Sequence, residues 1–171
     1  MKLQGLRWFI VGWIIFVLTG CGGVSDNQVL TSLLVLTPLP TSYLEGDCEN
    51  PSVLENWLQT LVFNQGEFTT FLESARSQSR PQLFVRLQEL NAVALVVANT
   101  PILSCGTEAY DLTMTAMTTA LSEMTAYVNA ERQDLDIILR DAQTRFVQAQ
   151  MAQNALINLL DSLYQNNATT P

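Results

Sequence analysis

Histidine is absent from the 171-residue chain. Imidazole is the side chain that enzymes use most often as a general base and that proteins use most often to bind metals. Its absence excludes Ser-His-Asp and Cys-His nucleophilic mechanisms, and it excludes di-iron bundles built on Glu-x-x-His motifs. The three cysteines include no Cys-x-x-Cys spacing, which gives redox catalysis no candidate. We therefore expect no catalytic residue, no metal site and no cofactor.

Basic residues are also scarce. Eight lysines and arginines face sixteen acids, so the formal net charge is −8. Two of the eight, Lys2 and Arg7, lie in the first twenty residues, and the remainder of the chain carries six arginines against sixteen acids, a charge of −10. Such a chain is repelled by nucleic acids and by anionic membrane surfaces. Neither is expected as a partner.

The first twenty residues have the layout of an export signal. Lys2 and Arg7 form a basic head, and the apolar run Trp8 to Leu18 that follows is too short to span a bilayer as a helix. Leu18-Thr19-Gly20-Cys21 comes next: an aliphatic residue, two small residues and a cysteine. This tetrapeptide resembles the lipobox of bacterial lipoproteins. The resemblance covers only the signal and the lipobox, and it does not extend to the rest of the chain.

The resemblance implies that residues 1–20 are a signal peptide and that Cys21 becomes the mature N-terminus. The Cys21 sulfur would carry the lipid, because a thiol is the group that receives diacylglycerol. Several acyl chains hold a protein stably on a membrane, whereas a single chain binds only marginally. The expected location is the extracytoplasmic side of the cell membrane or the outer membrane. The alternative is an ordinary secretory signal, with Cys21 paired to another cysteine.

Residues 22–47 show no helical periodicity and contain two prolines and three glycines. This composition is typical of a linker, and we predict a lipid-anchored tether over 21–49. As flexible coil, residues 22–47 would span roughly 30 Å. Val29, Leu30 and the run Leu33 to Leu36 are more apolar than a free tether should be. We expect them to pack on the domain or on a partner.

From Asn50 onward the pattern becomes helical. Asn50 is a good helix cap, and Pro51 suits the first helical position. Apolar stripes predict helices over 51–77 and 81–98, with Ser79 starting the second, and a third helix capped by Thr107. The bundle domain is predicted over 50–165, and a disordered tail over 166–171. The stripes are formed by Leu54, Leu58, Leu61, Phe68 and Leu72, by Leu83, Leu87, Leu90, Ala94 and Val97, and by Tyr110, Met114, Met117, Leu121, Met124 and Val128.

The boundary after the third helix has two interpretations. No glycine or proline lies between Thr107 and Thr170, so one continuous helix of about 55 residues is an alternative. We favour a break near Asn129 and a fourth helix from Leu135, because a long unpaired second half would expose a broad apolar face. The predicted fold class is all-α, an antiparallel up-and-down bundle of four helices. The alternative is three helices with a long C-terminal one.

Cys48 and Cys105 each precede a predicted helix start. In an up-and-down bundle the first and third helices are parallel, so these two cysteines lie at the same end. Disulfides persist in exported proteins. We predict a Cys48–Cys105 disulfide that clamps the bundle, stabilising it by about 4 kcal/mol in the chain-entropy model.

Two further clusters have an ordinary structural interpretation. Three methionines share one helical face, and Met151 could approach them from the last helix. Thioethers bind copper(I), but these positions fall in the apolar stripe, and we interpret them as core. The densest charge cluster is predicted to be a solvated face with pairs Asp136–Arg140 and Asp141–Arg145 at helical spacing.

The function expected is a non-enzymatic, membrane-anchored lipoprotein whose bundle binds an envelope protein or joins an envelope assembly. The alternative is a bundle that binds or senses a small molecule around Trp57, Tyr110 and the methionines. An enzyme that uses carboxylates alone ranks third, because no cleft can be read from the sequence.

Overall fold

Four helices make up most of the chain that the structure describes. The computed structural model describes residues 43–44 and 47–168, all of which belong to the unit Leu33–Pro171. The helices are α1 (Pro51–Ser74), α2 (Arg80–Ala98), α3 (Thr107–Val128) and α4 (Leu135–Ala168). The predicted four-helix bundle is confirmed, and the alternative with one long C-terminal helix is wrong. The predicted signal peptide and Cys21 lie outside the described residues.

The helix starts follow the capping residues in the sequence. The Asn50 side-chain oxygen accepts from the Ser52 amide at 3.1 Å, and Pro51 is the first residue of α1. The Ser79 amide donates to the Gln82 side chain at 2.8 Å before α2. Thr107 was predicted as the cap of α3, but Gly106 occupies that position and Thr107 is the first helical residue.

The break between α3 and α4 comes at Ala130, one residue beyond the predicted position. Ala130 has a φ of 62°, a left-handed conformation that usually needs glycine. The Glu131 amide donates back to the Ala126 carbonyl at 2.9 Å, which closes the end of α3. A chain without glycine there can therefore still end a helix, at a cost in backbone strain.

Neighbouring helices run antiparallel. Between α1 and α4, Tyr164 donates to Glu55 at one end of the pair and Arg76 donates to Asp136 at the other, at 2.6 and 2.8 Å. Two contacts show the same antiparallel arrangement of α2 and α3. The Tyr110 hydroxyl donates to the Ala98 carbonyl at one end, and Arg80 lies over the Tyr127 ring at the other. Each helix packs on its neighbours in chain order, and α4 closes the ring on α1.

The core lies along the central axis of this ring. Phe68 of α1 and Phe146 of α4 pack with ring centroids 5.7 Å apart. Burial of the apolar stripes supplies most of the folding free energy. The largest fully buried side chains are Phe68, Phe71, Leu54, Leu61, Leu72, Leu83, Leu87, Leu90, Leu103, Met117, Leu121 and Met124.

Two predicted boundaries are wrong. Residues Tyr43–Leu44 form a two-residue strand, β1, which pairs in parallel with β2 (Ile102–Leu103), and Asp47–Glu49 form a 3₁₀ turn. These residues, which were predicted as the last part of the tether, therefore belong to the folded domain. At the other end, α4 continues to Ala168, so residues 166–168 are helical and not a disordered tail. Residues 169–171 lie outside the described chain.

Candidate interaction surfaces

The predicted disulfide between Cys48 and Cys105 is confirmed. Their Cα atoms are 6.0 Å apart, and the Cys105 amide donates to the Cys48 sulfur at 3.0 Å. The bridge joins the turn before α1 to the turn before α3, so these two helices begin at the same end of the bundle. The turn Asp47–Glu49 therefore lies at that end.

The aromatic and sulfur-bearing residues that could hold a small molecule are packed in the core. The Trp57 indole donates to the Pro101 carbonyl at 2.8 Å and is nearly buried. Met117 and Met124 are fully buried, which confirms that they are core residues. Met151 does not approach them: its side chain is 68% exposed on the opposite face of α4. The four methionines do not form a common site.

A buried polar network crosses the core where α1, α3 and α4 meet. The Gln153 side-chain nitrogen donates to the Gln65 side-chain oxygen at 2.9 Å and to the Thr113 hydroxyl at 3.0 Å. The Gln65 nitrogen in turn points at the Phe146 carbonyl, at 3.4 Å. These groups are uncharged, so they supply no acid or base for catalysis. None of the three side chains was predicted as buried, although Gln65 and Gln153 interrupt apolar stripes at core positions.

The charged residues pair differently from the prediction. Asp136 binds Arg76, in the 3₁₀ turn after α1, at 2.8 Å, not Arg140 of its own helix, and Arg132 binds Glu123. These pairs are largely exposed, which agrees with a solvated face. Within the described residues, no group of three His, Cys, Asp or Glu side chains is placed to hold a metal ion.

One apolar depression opens between α1 and the last part of α4. We call it the α1–α4 groove. Phe63, on its rim, exposes 70% of its surface, and Val62 exposes 46%. The groove has a volume of about 850 Å³ and is lined by Glu55, Asn56, Leu58, Gln59, Thr60, Val62, Phe63, Asn64, Ile157 and Leu160. Phe63, Val62 and Ile157 together form an exposed apolar patch, and contiguous patches of this kind often mark binding surfaces.

A second apolar surface lies on α2, on the side away from α1 and α3. We call it the outer α2 face. Val85 is 56% exposed and Val96 52%, and Ala92 and Leu95 lie between them, also exposed. Every residue of Ala92–Ala98 is apolar, so this helix cannot bury all its apolar side chains on one side.

A shallow cavity of about 580 Å³ continues the outer α2 face at the start of the helix. Val85 lines it together with Pro81 and Gln82. Arg86 and Glu89 border it and form an ion pair at 2.5 Å. The run Ala92–Ala98 signals this surface in the sequence, whereas helical periodicity marks only the core stripe of α2.

The chain matches no protein-family model, no curated protein and no solved structure among those compared. Among the described helices, none has the length and apolar character that crossing a bilayer requires. The features of the chain that bear on its function are the lipobox-like motif and the two apolar surfaces.

Proposed function

We propose that the protein is a lipid-anchored envelope lipoprotein without enzymatic activity, held outside the cytoplasm by acyl chains on Cys21. Its bundle binds another envelope protein through the outer α2 face. The lipobox supports the anchor, and the exposed valines on α2 support the binding surface. The location is the cell membrane or the outer membrane.

The outer α2 face is the observation that carries the partner hypothesis. Val85, Ala92 and Val96 recur at helical spacing on one side of α2, so they form a continuous stripe. About three turns separate Val85 from Val96, a length of about 16 Å. Apolar side chains in water gain about 25 cal/mol for each Å² that a partner covers. A partner helix or strand laid along α2 would bury the whole stripe.

The chemistry of the partner follows from the charge of this protein. After removal of residues 1–20 the chain carries six arginines against sixteen acids. Arg86, beside the stripe, is already held by Glu67 at 3.2 Å and by Glu89 at 2.5 Å. An acidic protein attracts a partner whose apolar contact surface is bordered by lysine or arginine. Salt should therefore slow the association of the two proteins.

The disulfide lies where the chain from the predicted lipid anchor joins the bundle, as expected for a domain held near a membrane. The chain from the predicted anchor enters the bundle through Tyr43 and Cys48. Because Tyr43–Leu44 and Asp47–Glu49 belong to the fold, the predicted tether shortens to 22–42, about 25 Å on average as flexible coil. The outer α2 face runs along the side of the bundle and would be open to a neighbouring envelope protein.

The small-molecule hypothesis stays a prediction that the structure supports less well. Trp57 and Tyr110, which would line such a site, are nearly buried and use their polar atoms on the Pro101 and Ala98 carbonyls. A ligand there would have to displace packed core side chains.

The test is crosslinking in intact cells, followed by purification of the tagged protein from solubilised membranes. The altered protein carries Val85→Asp and Val96→Asp. The matched control is Val147→Asp on α4. Val147 is 54% exposed, so its exposed fraction lies between those of Val85 and Val96. We expect the same envelope protein to be captured with the unaltered chain and the Val147 variant, and to be lost with the α2 variant.

Equal capture by all three proteins would contradict the proposal, as would no captured protein in any of them. Helical circular dichroism of the variants checks that each is folded, since all three positions are exposed and a charge there needs no rearrangement of the core.

A further inference from the structure

The α1–α4 groove has no covering among the described residues. Phe63 is the most exposed large apolar side chain of the bundle, and Ile157 on α4 is 39% exposed across from it. The lining has one acid, Glu55, whose carboxylate accepts from the Tyr164 hydroxyl at 2.6 Å. The groove surface is thus mainly apolar, although half of its lining residues are polar, and its lining includes no lysine or arginine that could recruit an acidic partner.

The path of the chain brings one apolar segment close to this groove. Tyr43 pairs with Ile102, and the neighbouring Pro101 carbonyl accepts from Trp57, so the chain enters the fold at the level of Trp57 on α1. Phe63 lies six residues further along α1, about 9 Å along the helix axis. Leu36 lies seven residues before Tyr43 and can reach about 23–25 Å from it. The distance that Leu36 can reach is therefore more than twice the separation of Trp57 and Phe63 along the α1 axis.

The composition of this segment matches the groove. Leu33 to Leu36 are four consecutive apolar residues, and no charged residue lies between Asp26 and Glu45. A segment on the same chain has an effective concentration in the millimolar range for a site that it can reach. A weak apolar contact is then enough to keep the site occupied, whereas a separate protein would have to compete at its own concentration.

We propose that Leu33–Leu36 docks in the α1–α4 groove of its own chain and covers Phe63. Docking would leave only residues 22–32 as free tether, about 18 Å on average, instead of the 25 Å of residues 22–42. Release of the segment would let the bundle stand further from the membrane. The docked segment therefore sets the height of the domain. The effect on height rests on the proposed Cys21 anchor, whereas the docking itself uses a different surface from the outer α2 face, so docking and partner binding can each fail without the other.

The experiment places a photoreactive p-benzoylphenylalanine at Phe63 in the full chain, purified from membranes in detergent. Irradiation should join position 63 to the peptide that contains Leu33–Leu36 within one molecule, as read by mass spectrometry. The same probe at Val147, which is similarly exposed, is the control and should not crosslink to that peptide.

Two tether variants sharpen the test. Leu34→Gln with Leu36→Gln should lower the crosslink yield, roughly tenfold for each leucine that docking buries. Thr31→Gln with Thr37→Gln changes the same stretch without removing apolar side chains and should leave the yield unchanged. Circular dichroism of each variant confirms that the bundle is folded.

Three results would overturn the proposal. Crosslinks between two copies of the chain would assign the groove to self-association. Crosslinks only to another envelope protein would assign it to that partner. A Phe63 probe that forms no crosslink, or that crosslinks equally in both tether variants, would show that Leu33–Leu36 does not occupy the groove.

Discussion

Gly106 lies directly against the indole ring of Trp57. A Cβ atom on Gly106 would stand 2.8 Å from Cζ3 and 2.9 Å from Cζ2 of that ring, both below any normal contact. The tryptophan is held by its hydrogen bond to Pro101 at 2.8 Å and cannot withdraw freely. A residue with no side chain therefore fixes how closely α1 approaches the start of α3, beside the disulfide.

Replacing Gly106 with alanine should destabilise the bundle. The added methyl group would overpack the core against Trp57, which typically costs about 1–3 kcal/mol. The matched control is Gly66→Ala, inside α1, where an added Cβ has nothing within 4 Å. That change should stabilise the protein by about 0.5–1 kcal/mol, because alanine favours helix. Urea unfolding measures both, and equal effects would contradict the packing described.

Replacing Ala130, at the end of α3, with glycine should stabilise the protein. Ala130 has a φ of 62°, so Ala130→Gly removes a backbone strain of about 1 kcal/mol and should raise the free energy of unfolding. Ala126→Gly, within α3, is the control and should lower it by about 1 kcal/mol. Thermal unfolding compares the two, and a loss of stability in both variants would rule out the left-handed turn.

The buried amides should act as a unit. Gln65→Leu leaves the Gln153 amide without one of its acceptors in the core, Gln153→Leu leaves the Gln65 side-chain oxygen without this donor, and each such loss costs about 1–3 kcal/mol. Replacing Gln65 and Gln153 together by leucine removes both partners and should cost much less than the sum of the two single changes. A double-mutant cycle in urea measures this coupling. Additive effects would show that the network does not operate as a unit.

Stability should fall at alkaline pH. Burial, and next the neighbouring Asp111, raise the pKa of Tyr110, and the hydrogen bond to Glu55 raises the pKa of Tyr164. A raised pKa means that the folded state favours the protonated phenol, so this stability is complete below about pH 10 and is lost as the pH rises through the folded-state pKa. Unfolding measured from pH 8 to 11 should show the decline.

The same titration separates the two tyrosines. Tyr110→Phe and Tyr164→Phe should each make the alkaline decline shallower, because each removes one phenol that titrates differently in the folded and unfolded states. An unchanged slope in both variants would show that other groups cause the decline.

The helices could be predicted because their signals are local. Asn50 and Pro51 mark the start of α1, and the apolar stripes locate the buried faces of α1, α2 and α3. The strand pair of Tyr43 with Ile102 could not be predicted, because two residues have no periodicity. The turn at Ala130 carries no glycine that would mark it in the sequence. The break near Asn129 could be predicted only because one continuous helix would expose a broad apolar face.

The candidate surfaces were missed for a related reason. A periodicity analysis finds residues that share one face of a helix, and it gives no weight to apolar residues on the other faces. Phe63 and Val96 lie outside the core stripes of α1 and α2. Gln65 lies inside such a stripe but is polar. The disulfide was predicted because both cysteines precede helix starts that the bundle topology brings together.

The central claim is the lipid anchor on Cys21, and the most direct test is the intact mass of the protein extracted from membranes. The account predicts a chain that begins at Cys21 and carries the mass of diacylglycerol on its sulfur. The Cys21→Ala variant should keep the full precursor mass and incorporate no labelled fatty acid. An unlipidated chain cut at another residue, or a Cys21→Ala variant that is processed and labelled normally, would contradict the claim.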